Sequence, residues 1–75
     1  MVAAYVLIQV GATDPREVVK KLRGIEGVKQ AHVISGPTDC IAFIEAADLD
    51  AGTAVVMAMR AVEGVERTDT RLAIL

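Results

Sequence analysis

The stretch VVKKLRGIEGV at residues 18–28 recurs, 37 positions later, as VVMAMRAVEGV at residues 55–65. Six of the eleven positions carry the same residue: Val18/Val55, Val19/Val56, Arg23/Arg60, Glu26/Glu63, Gly27/Gly64 and Val28/Val65. The offset is half of the 75-residue chain, which indicates that one helix–turn–strand unit is used twice. A duplicated unit of this kind has few compact arrangements, of which the commonest is a βαββαβ sheet with both helices on one side.

The regions around the repeat supply the remaining elements. Apolar runs and turn signals predict strands at residues 2–10, 28–35, 40–46 and 65–75, and helices at residues 15–25 and 51–62. We therefore expect one α+β domain over residues 1–75, in the ferredoxin-like βαββαβ order. Its four-stranded antiparallel sheet would carry two helices on one face.

The first helix has a clear start signal and one apolar stripe. Asp14 is a good N-cap, Pro15 stands at the favoured first helical position, and Glu17 completes a capping box. Either Gly24 or Gly27 is expected to end the helix. The inward arc is formed by Val18, Val19, Leu22 and Ile25.

The second helix is apolar over most of its circumference. Asp48 or Asp50 is expected to cap it, and Gly64 to end it. The expected inner arc is Ala51, Val55, Ala58, Met59 and Val62, and the outer side carries Ala54, Met57 and Ala61. Such a helix either contacts a partner on its outer face or simply uses alanine as a helix former.

Composition excludes several functional classes. The lone Cys40 and lone His32 can form neither an internal disulfide nor a tetrahedral metal site within one subunit, and no cofactor is expected. The net charge of −2 and the pI of about 5.2 argue against a nucleic-acid surface. The sequence lacks a signal peptide and an apolar run of about 18 residues, so a cytoplasmic protein without membrane contact is expected.

The open face of the sheet predicts self-association. The strands at 2–10 and 40–46 are apolar on both parities, so both of their faces should be covered, whereas the helices can cover only one. A chain of this size has a marginal core, and covering apolar surface stabilises by about 25 cal/mol per Å². We expect the open faces of two protomers to pack together as a twofold dimer.

Two motifs give the chain a family resemblance. Gly-x-x-Asp at 36–39 lies between the second and third strands, and Gly-Val-x-x-Thr-x-Thr at 64–70 enters the last strand. In this order and spacing they resemble the effector domain of the leucine-responsive/asparagine-regulator family of transcription factors (Lrp/AsnC), also called the RAM domain. The resemblance covers essentially the whole chain.

The resemblance implies a βαββαβ dimer, assembled further into rings of dimers, that binds free amino acids at subunit contacts. The sequence starts at the first strand of that domain, so it looks like the stand-alone form, without the helix-turn-helix that reads DNA. Direct DNA binding is therefore not expected. Its partners would be other copies of itself, an amino-acid effector and, by mixed assembly, full-length Lrp/AsnC regulators.

The candidate ligand residues are Gly36, Thr38, Asp39, Thr68 and Thr70. Asp39 can face an ammonium group, backbone amides of the 36–38 turn can bind a carboxylate, and the two strand threonines share one parity. The family's ligand role is carried over to these positions by resemblance. Pro37 departs from the aromatic or acidic residue expected in that loop. In a purely structural interpretation Asp39 caps the turn, the threonines are ordinary strand formers, and Gly36 marks a positive φ.

Other functions remain open at this stage. A regulatory domain of the ACT type would share the topology and also bind amino acids. A small dimeric enzyme would need a positioned acid–base pair, for which the sequence offers only His32 among scattered carboxylates. His32 is more simply a surface or interface residue, Cys40 a small buried hydrophobe, and Arg23 and Arg60 helix-end cations.

Overall fold

A computed structural model describes residues 1–74 of the chain. Its elements are β1 (Val2–Val10), α1 (Pro15–Arg23), β2 (Val28–Val33), β3 (Cys40–Ala46), α2 (Leu49–Arg60) and β4 (Val65–Leu72). The predicted βαββαβ order is therefore confirmed. No helix within the described residues is long and apolar enough to cross a membrane.

The four strands form one antiparallel sheet in the order β2-β3-β1-β4. The central strand β1 pairs with β3, with Tyr5 opposite Phe43, and with β4, with Leu7 opposite Asp69. The remaining pair joins β2 and β3, with Ala31 opposite Ala42. This is the ferredoxin-like arrangement, in which each half of the repeat contributes one helix and an edge strand.

Some element ends differ from the predictions. The helix α1 ends at Arg23 rather than at residue 25, and β2 ends at Val33 rather than at residue 35. The strand β4 ends at Leu72, although Ala73 N–H still donates to the Ala3 carbonyl oxygen at 2.8 Å. The predicted extension to residue 75 reaches beyond the described residues.

The start of α1 follows the sequence signal only in part. Asp14 is the N-cap, its Oδ1 accepts the Arg16 N–H at 3.0 Å, and Pro15 begins the helix. The second half of the predicted capping box is not formed within residues 1–74, where Glu17 Oε2 instead lies 3.6 Å from Lys20 Nζ. Gly24, not Gly27, occupies the C-cap position.

The helix α2 lies two residues earlier than predicted. Asp48 is the cap, and its Oδ1 accepts the Ala51 N–H at 2.8 Å, so the helix starts at Leu49. It ends at Arg60 with Ala61 as C-cap. The prediction that Gly64 ends the helix is therefore wrong, because that glycine lies in the turn that leads into β4.

The core lies between the helices and one face of the sheet. Its fully buried residues from β1 are Val6 and Ile8, and from β3 Cys40 and Ala42. Opposite them the helices place Val18, Val19, Leu22 and Met59. The predicted inner position of Ala58 is wrong, since this residue is exposed along with Ala54, Met57 and Ala61. Because α2 has to bury only a narrow stripe here, its alanine-rich side remains at the surface.

The other face of the sheet has no covering element within the described residues. The registers place Tyr5 and Leu7 of β1 beside Phe43 and Ile41 of β3 on this face. The rings of Tyr5 and Phe43 contact each other with centroids 4.9 Å apart. Tyr5 is 49% exposed, so a hydrocarbon-rich surface lies open to solvent on a single protomer. His32 of β2, opposite Ile41, is exposed on the same face.

Candidate functional site

The turn between β2 and β3 is tied to the central strand through Asp39. The Val10 N–H donates to Asp39 Oδ2 at 2.8 Å, and Asp39 N–H donates to the Ile8 carbonyl oxygen at 3.2 Å. The turn is closed by Ile34 N–H, which donates to the Asp39 carbonyl oxygen at 3.0 Å. Asp39 is half-buried, and these hydrogen bonds fix its backbone and one of its carboxylate oxygens. Its second oxygen, Oδ1, has no hydrogen-bond partner within residues 1–74.

The tip of this turn is exposed and braced at one point. Gly36 has a φ of 114°, which disfavours any residue with a Cβ, and a Cβ placed there would meet no atom within 4 Å. The Gln9 side chain donates through Nε2 to the Pro37 carbonyl oxygen at 2.8 Å. The positive φ of Gly36, and not crowding, is therefore what disfavours a side chain at this position.

A small cavity lies between the turn and the edge strand. It has a volume of about 180 Å³ and is lined by Leu7, Gln9, Thr38, Arg67, Thr68 and Asp69. Two of the predicted ligand residues, Thr38 and Thr68, therefore line one cavity. Thr68 pairs with the buried Ile8, so its side chain lies on the helix-covered face of the sheet, opposite to Arg67 and Asp69. Asp39 adjoins this cavity in sequence but does not line it.

Arg67 is a cation at this cavity that the sequence did not single out. It pairs in register with Gln9, and Asp69 pairs with Leu7, so both side chains share the open face. Asp69 is itself paired, since Arg71 Nη2 lies 2.9 Å from its Oδ2. Hydrogen bonds from Arg71 hold the pKa of the Asp69 carboxyl below its usual range. The period-2 alternation of the last strand could have grouped Arg67 with Asp69, but only the register brings them to Thr38.

Thr70 lies at a different place from the other candidates. Thr68 and Thr70 do share one strand face, since they pair with Ile8 and Val6, both fully buried under the helices. Thr70 lines a separate cavity beneath α2 and does not line the one at the turn. The five predicted ligand residues are therefore not one cluster, because Thr70 lies further along β4, away from the turn.

Cys40 fits a structural role. Cys40 is fully buried, with its Sγ 3.9 Å from the Pro15 carbonyl oxygen. Burial raises the pKa of the Cys40 thiol, and the nearby Asp39 charge adds to the rise. A thiol with a raised pKa is a poor nucleophile at neutral pH, so this residue behaves as the small core hydrophobe expected from its strand.

The fold and the cavity at the turn are compatible with a small ligand-binding domain, and similarity to known proteins identifies its family. Residues 3–74 match the family model of the Lrp/AsnC ligand binding domain. The chain therefore belongs to the Lrp/AsnC family as its effector-binding domain, as the two motifs predicted. The ACT-type alternative is thereby disfavoured, and this family is a ligand-binding regulatory domain rather than an enzyme family. No curated protein matches the chain.

Solved structures agree in fold over the whole chain. The hypothetical protein PHS023 from Pyrococcus horikoshii is 34% identical, with a TM-score of 0.86, over 100% of this chain and 92% of that one. TTHA0845 from Thermus thermophilus is 29% identical, with a TM-score of 0.91, over 100% and 95%. The transcriptional regulator NMB0573 from Neisseria meningitidis, solved as its L-Met complex, is 17% identical, with a TM-score of 0.86, over 99% and 50%. This chain thus spans about half the length of that regulator.

Proposed function

We propose that this domain binds a free amino acid at the 35–39 turn, where two subunits of an oligomer meet. The observation that carries the proposal is the state of Asp39. One carboxylate oxygen is held by the Val10 N–H, while the other has no protein partner among the described residues. A carboxylate fixed in this way can accept from a ligand ammonium without losing further conformational freedom.

The carboxylate end of the same ligand has candidate donors nearby. Arg67 lines the cavity next to Thr38 and supplies a guanidinium that matches carboxylate geometry. The exposed backbone of Gly36 offers a further donor. The cavity is small and open, so a second subunit would complete the walls around the ligand side chain. The L-Met complex of the Neisseria meningitidis regulator is consistent with such a ligand class.

The subunits are proposed to pair through the open face of the sheet. Tyr5, Leu7, Ile41 and Phe43 form an aliphatic and aromatic surface that a second copy would cover. Mixed assembly with full-length Lrp/AsnC regulators would then connect effector binding to transcription. A cytoplasmic location fits this role.

Isothermal titration calorimetry of the purified chain against the twenty amino acids tests ligand binding. The informative variant is Asp39→Asn, because the amide oxygen can still accept from the Val10 N–H while the charge is lost. We expect binding to weaken about tenfold or more with little change in melting temperature. Asp50→Asn, in the exposed first turn of α2, is the matched control and should bind as the parent does.

Two results would count against the proposal. Absence of heat with every amino acid, at protein concentrations where light scattering shows an oligomer, would remove the sensing role. Undiminished binding by Asp39→Asn would mean that the ammonium is recognised elsewhere.

A further inference from the structure

A second cavity lies on the opposite side of the sheet, beneath α2. Its volume is about 250 Å³, and its walls come from α2 and from the ends of β1, β3 and β4. The lining residues are Val2, Ala4, Ile44, Ala46, Leu49, Gly52, Thr53, Val56, Met57, Arg60, Thr70 and Leu72. The floor is hydrocarbon, formed in part by the buried Ala4 and Ile44. This cavity shares no residue with the cavity at the 35–39 turn.

The charge that lines this cavity is positive. Arg60 is the single charged residue of the lining, and the hydroxyl groups of Thr53 and Thr70 are its other polar side-chain groups. Within residues 1–74, Arg60 has no carboxylate within 4.0 Å, and its Nη1 contacts Met57 Sδ at 3.9 Å. Arg23, the equivalent residue in the first repeat, instead donates a hydrogen bond to the backbone carbonyl oxygen of Ala31. The guanidinium of Arg60 can thus donate hydrogen bonds to an anion beside an apolar cavity.

We propose that this cavity binds a small aliphatic carboxylic acid that carries no α-ammonium group. The carboxylate pairs with Arg60 and accepts from the hydroxyl of Thr53 or Thr70, and the alkyl chain fills the space between Val56 and Ile44. An amino acid fits poorly, because the lining has no acidic side chain to accept its ammonium. The cavity, with a volume of about 250 Å³, is of a size for a small acid rather than a larger ligand.

This site differs from the proposed amino-acid site both in its position and in the ligand that it would bind. The turn offers a carboxylate, Asp39, for an ammonium, whereas the cavity beneath α2 offers only a cation and hydroxyls. A des-amino or 2-oxo acid would therefore bind at one site and the corresponding amino acid at the other. Failure of amino-acid binding in the calorimetry above would leave this second site untouched.

Methyl NMR of methionine provides a direct test, because the chain has three methionines in distinct places. Met57 lines the cavity, Met59 is fully buried in the core, and Met1 lines a different groove. The probe is 4-methylpentanoate, titrated into the full chain labelled with [¹³C-methyl]methionine. We expect a saturable shift of the Met57 signal with the Met1 signal unmoved. Leucine and 4-methylpentanol, which add the ammonium and remove the charge respectively, should each bind about tenfold more weakly or worse.

Substitutions at equivalent repeat positions supply the control. Arg60→Gln should weaken 4-methylpentanoate binding about tenfold or more, and Arg60→Lys should retain part of it. Arg23→Gln and Asp39→Asn should leave it unchanged. Equal binding by Arg60→Gln, or equal binding of the alcohol, would overturn the proposal. So would a Met57 shift that follows protein concentration rather than added acid, because a second copy of the chain would then be the occupant.

Discussion

Arg23 Nε donates a hydrogen bond of 3.0 Å to the carbonyl oxygen of Ala31, which joins the end of α1 to the edge strand β2. Ala31 is fully buried, so the bond spans from the helix surface to the inner layer of the sheet. At the equivalent repeat position, the side chain of Arg60 has Met57 Sδ as its one hydrogen-bond partner among residues 1–74. The duplication has therefore kept the arginine but not its partner, and the two residues should contribute unequally to stability.

Replacing the two arginines measures this difference. Arg23→Gln removes the donor to Ala31 and is expected to lower the free energy of unfolding by about 1.5 kcal/mol, the lower end of the range for a bond from a charged donor, because this bond is partly open to solvent. Arg60→Gln should change it by less than about 0.5 kcal/mol. Urea unfolding at one fixed protein concentration provides the comparison, and equal losses from both variants would contradict it.

Gly27 and Gly64 provide a second prediction from the repeat. Both have a left-handed backbone, with φ of 99° and 101°. A Cβ on Gly27 would also approach Val55 Cγ2 to 2.6 Å, so strain and a steric overlap combine. Gly27→Ala should cost about 2 kcal/mol or more of unfolding free energy.

The neighbouring glycine is the control for this substitution. Gly24 has a φ of −84°, and a Cβ there would lie no closer than 3.5 Å to the Lys21 carbonyl oxygen. Gly24→Ala should therefore leave thermal stability within about 0.5 kcal/mol. A comparable loss in both variants would show that α1 tolerates no side chain at its end for some other reason.

The sequence predicted the fold better than the ends of its elements. The repeat and the apolar strands determined the order, because a strand–helix–strand unit used twice has few ways to bury its hydrocarbon. The predicted bounds of α2 differ from the observed ones by two residues because Asp48 and Asp50 carry the same cap signal. Only the backbone conformation at Asp48 selects between them. The predicted inner position of Ala58 is wrong because alanine is common on both the buried and the exposed side of a helix, so its identity does not show which side it occupies.

The candidate site was predictable only where the signal was local. Gly36 and Asp39 stand in one turn, so their conformation and proximity follow from short-range chemistry. Arg67 reaches the cavity beside Thr38 through the pairing of β4 with β1, which depends on register and on a shift between Gln9 and Val10. Thr70 has the same parity as Thr68, but a shared strand face does not place two residues in the same cavity.

A stabilising substitution is available in α2. Gly52 lies inside this helix, and a Cβ there would meet Ala46 Cβ at 3.8 Å, an ordinary contact distance. Gly52→Ala should raise the free energy of unfolding by about 0.5–1 kcal/mol, because alanine loses less backbone entropy in a helix. Thermal unfolding followed by circular dichroism measures the gain. A loss would mean that the added methyl disturbs the packing of α2 on β3.

The ion pair between Asp14 and Arg16 at the start of α1 predicts that folding stability depends on pH. Side-chain hydrogen bonds from Arg16 hold the pKa of the Asp14 carboxyl below its usual value of about 4. Because the pKa is lower in the folded state, the contribution to stability is present above about pH 4 and is lost as the pH falls through the folded value. Asparagine caps a helix about as well as aspartate, so the parent and Asp14→Asn should differ in melting temperature at neutral pH and converge in acid.

An NMR titration of the side-chain carboxyl carbons checks the cause directly. The midpoint for Asp14 should lie lower in the parent than in Arg16→Gln, where the hydrogen bonds of 2.9–3.2 Å to the carboxylate are removed. Identical midpoints would assign the shift to the helix terminus rather than to the arginine.

The surface through which the proposed dimer forms can be tested by substitution, because two exposed apolar residues lie on opposite sides of the molecule. Tyr5 is 49% exposed on the open face of the sheet, and Met57 is 54% exposed on α2. If the sheets pack face to face, Tyr5→Glu buries an unpaired charge at the centre of the interface and should reduce the mass in light scattering to the 7.9 kDa of one chain. Met57→Glu, with a similar loss of exposed hydrocarbon, should leave the dimer intact. Dissociation by Met57→Glu with an intact Tyr5→Glu dimer would place the subunit contact on the helix α2 and leave the open face of the sheet to another partner.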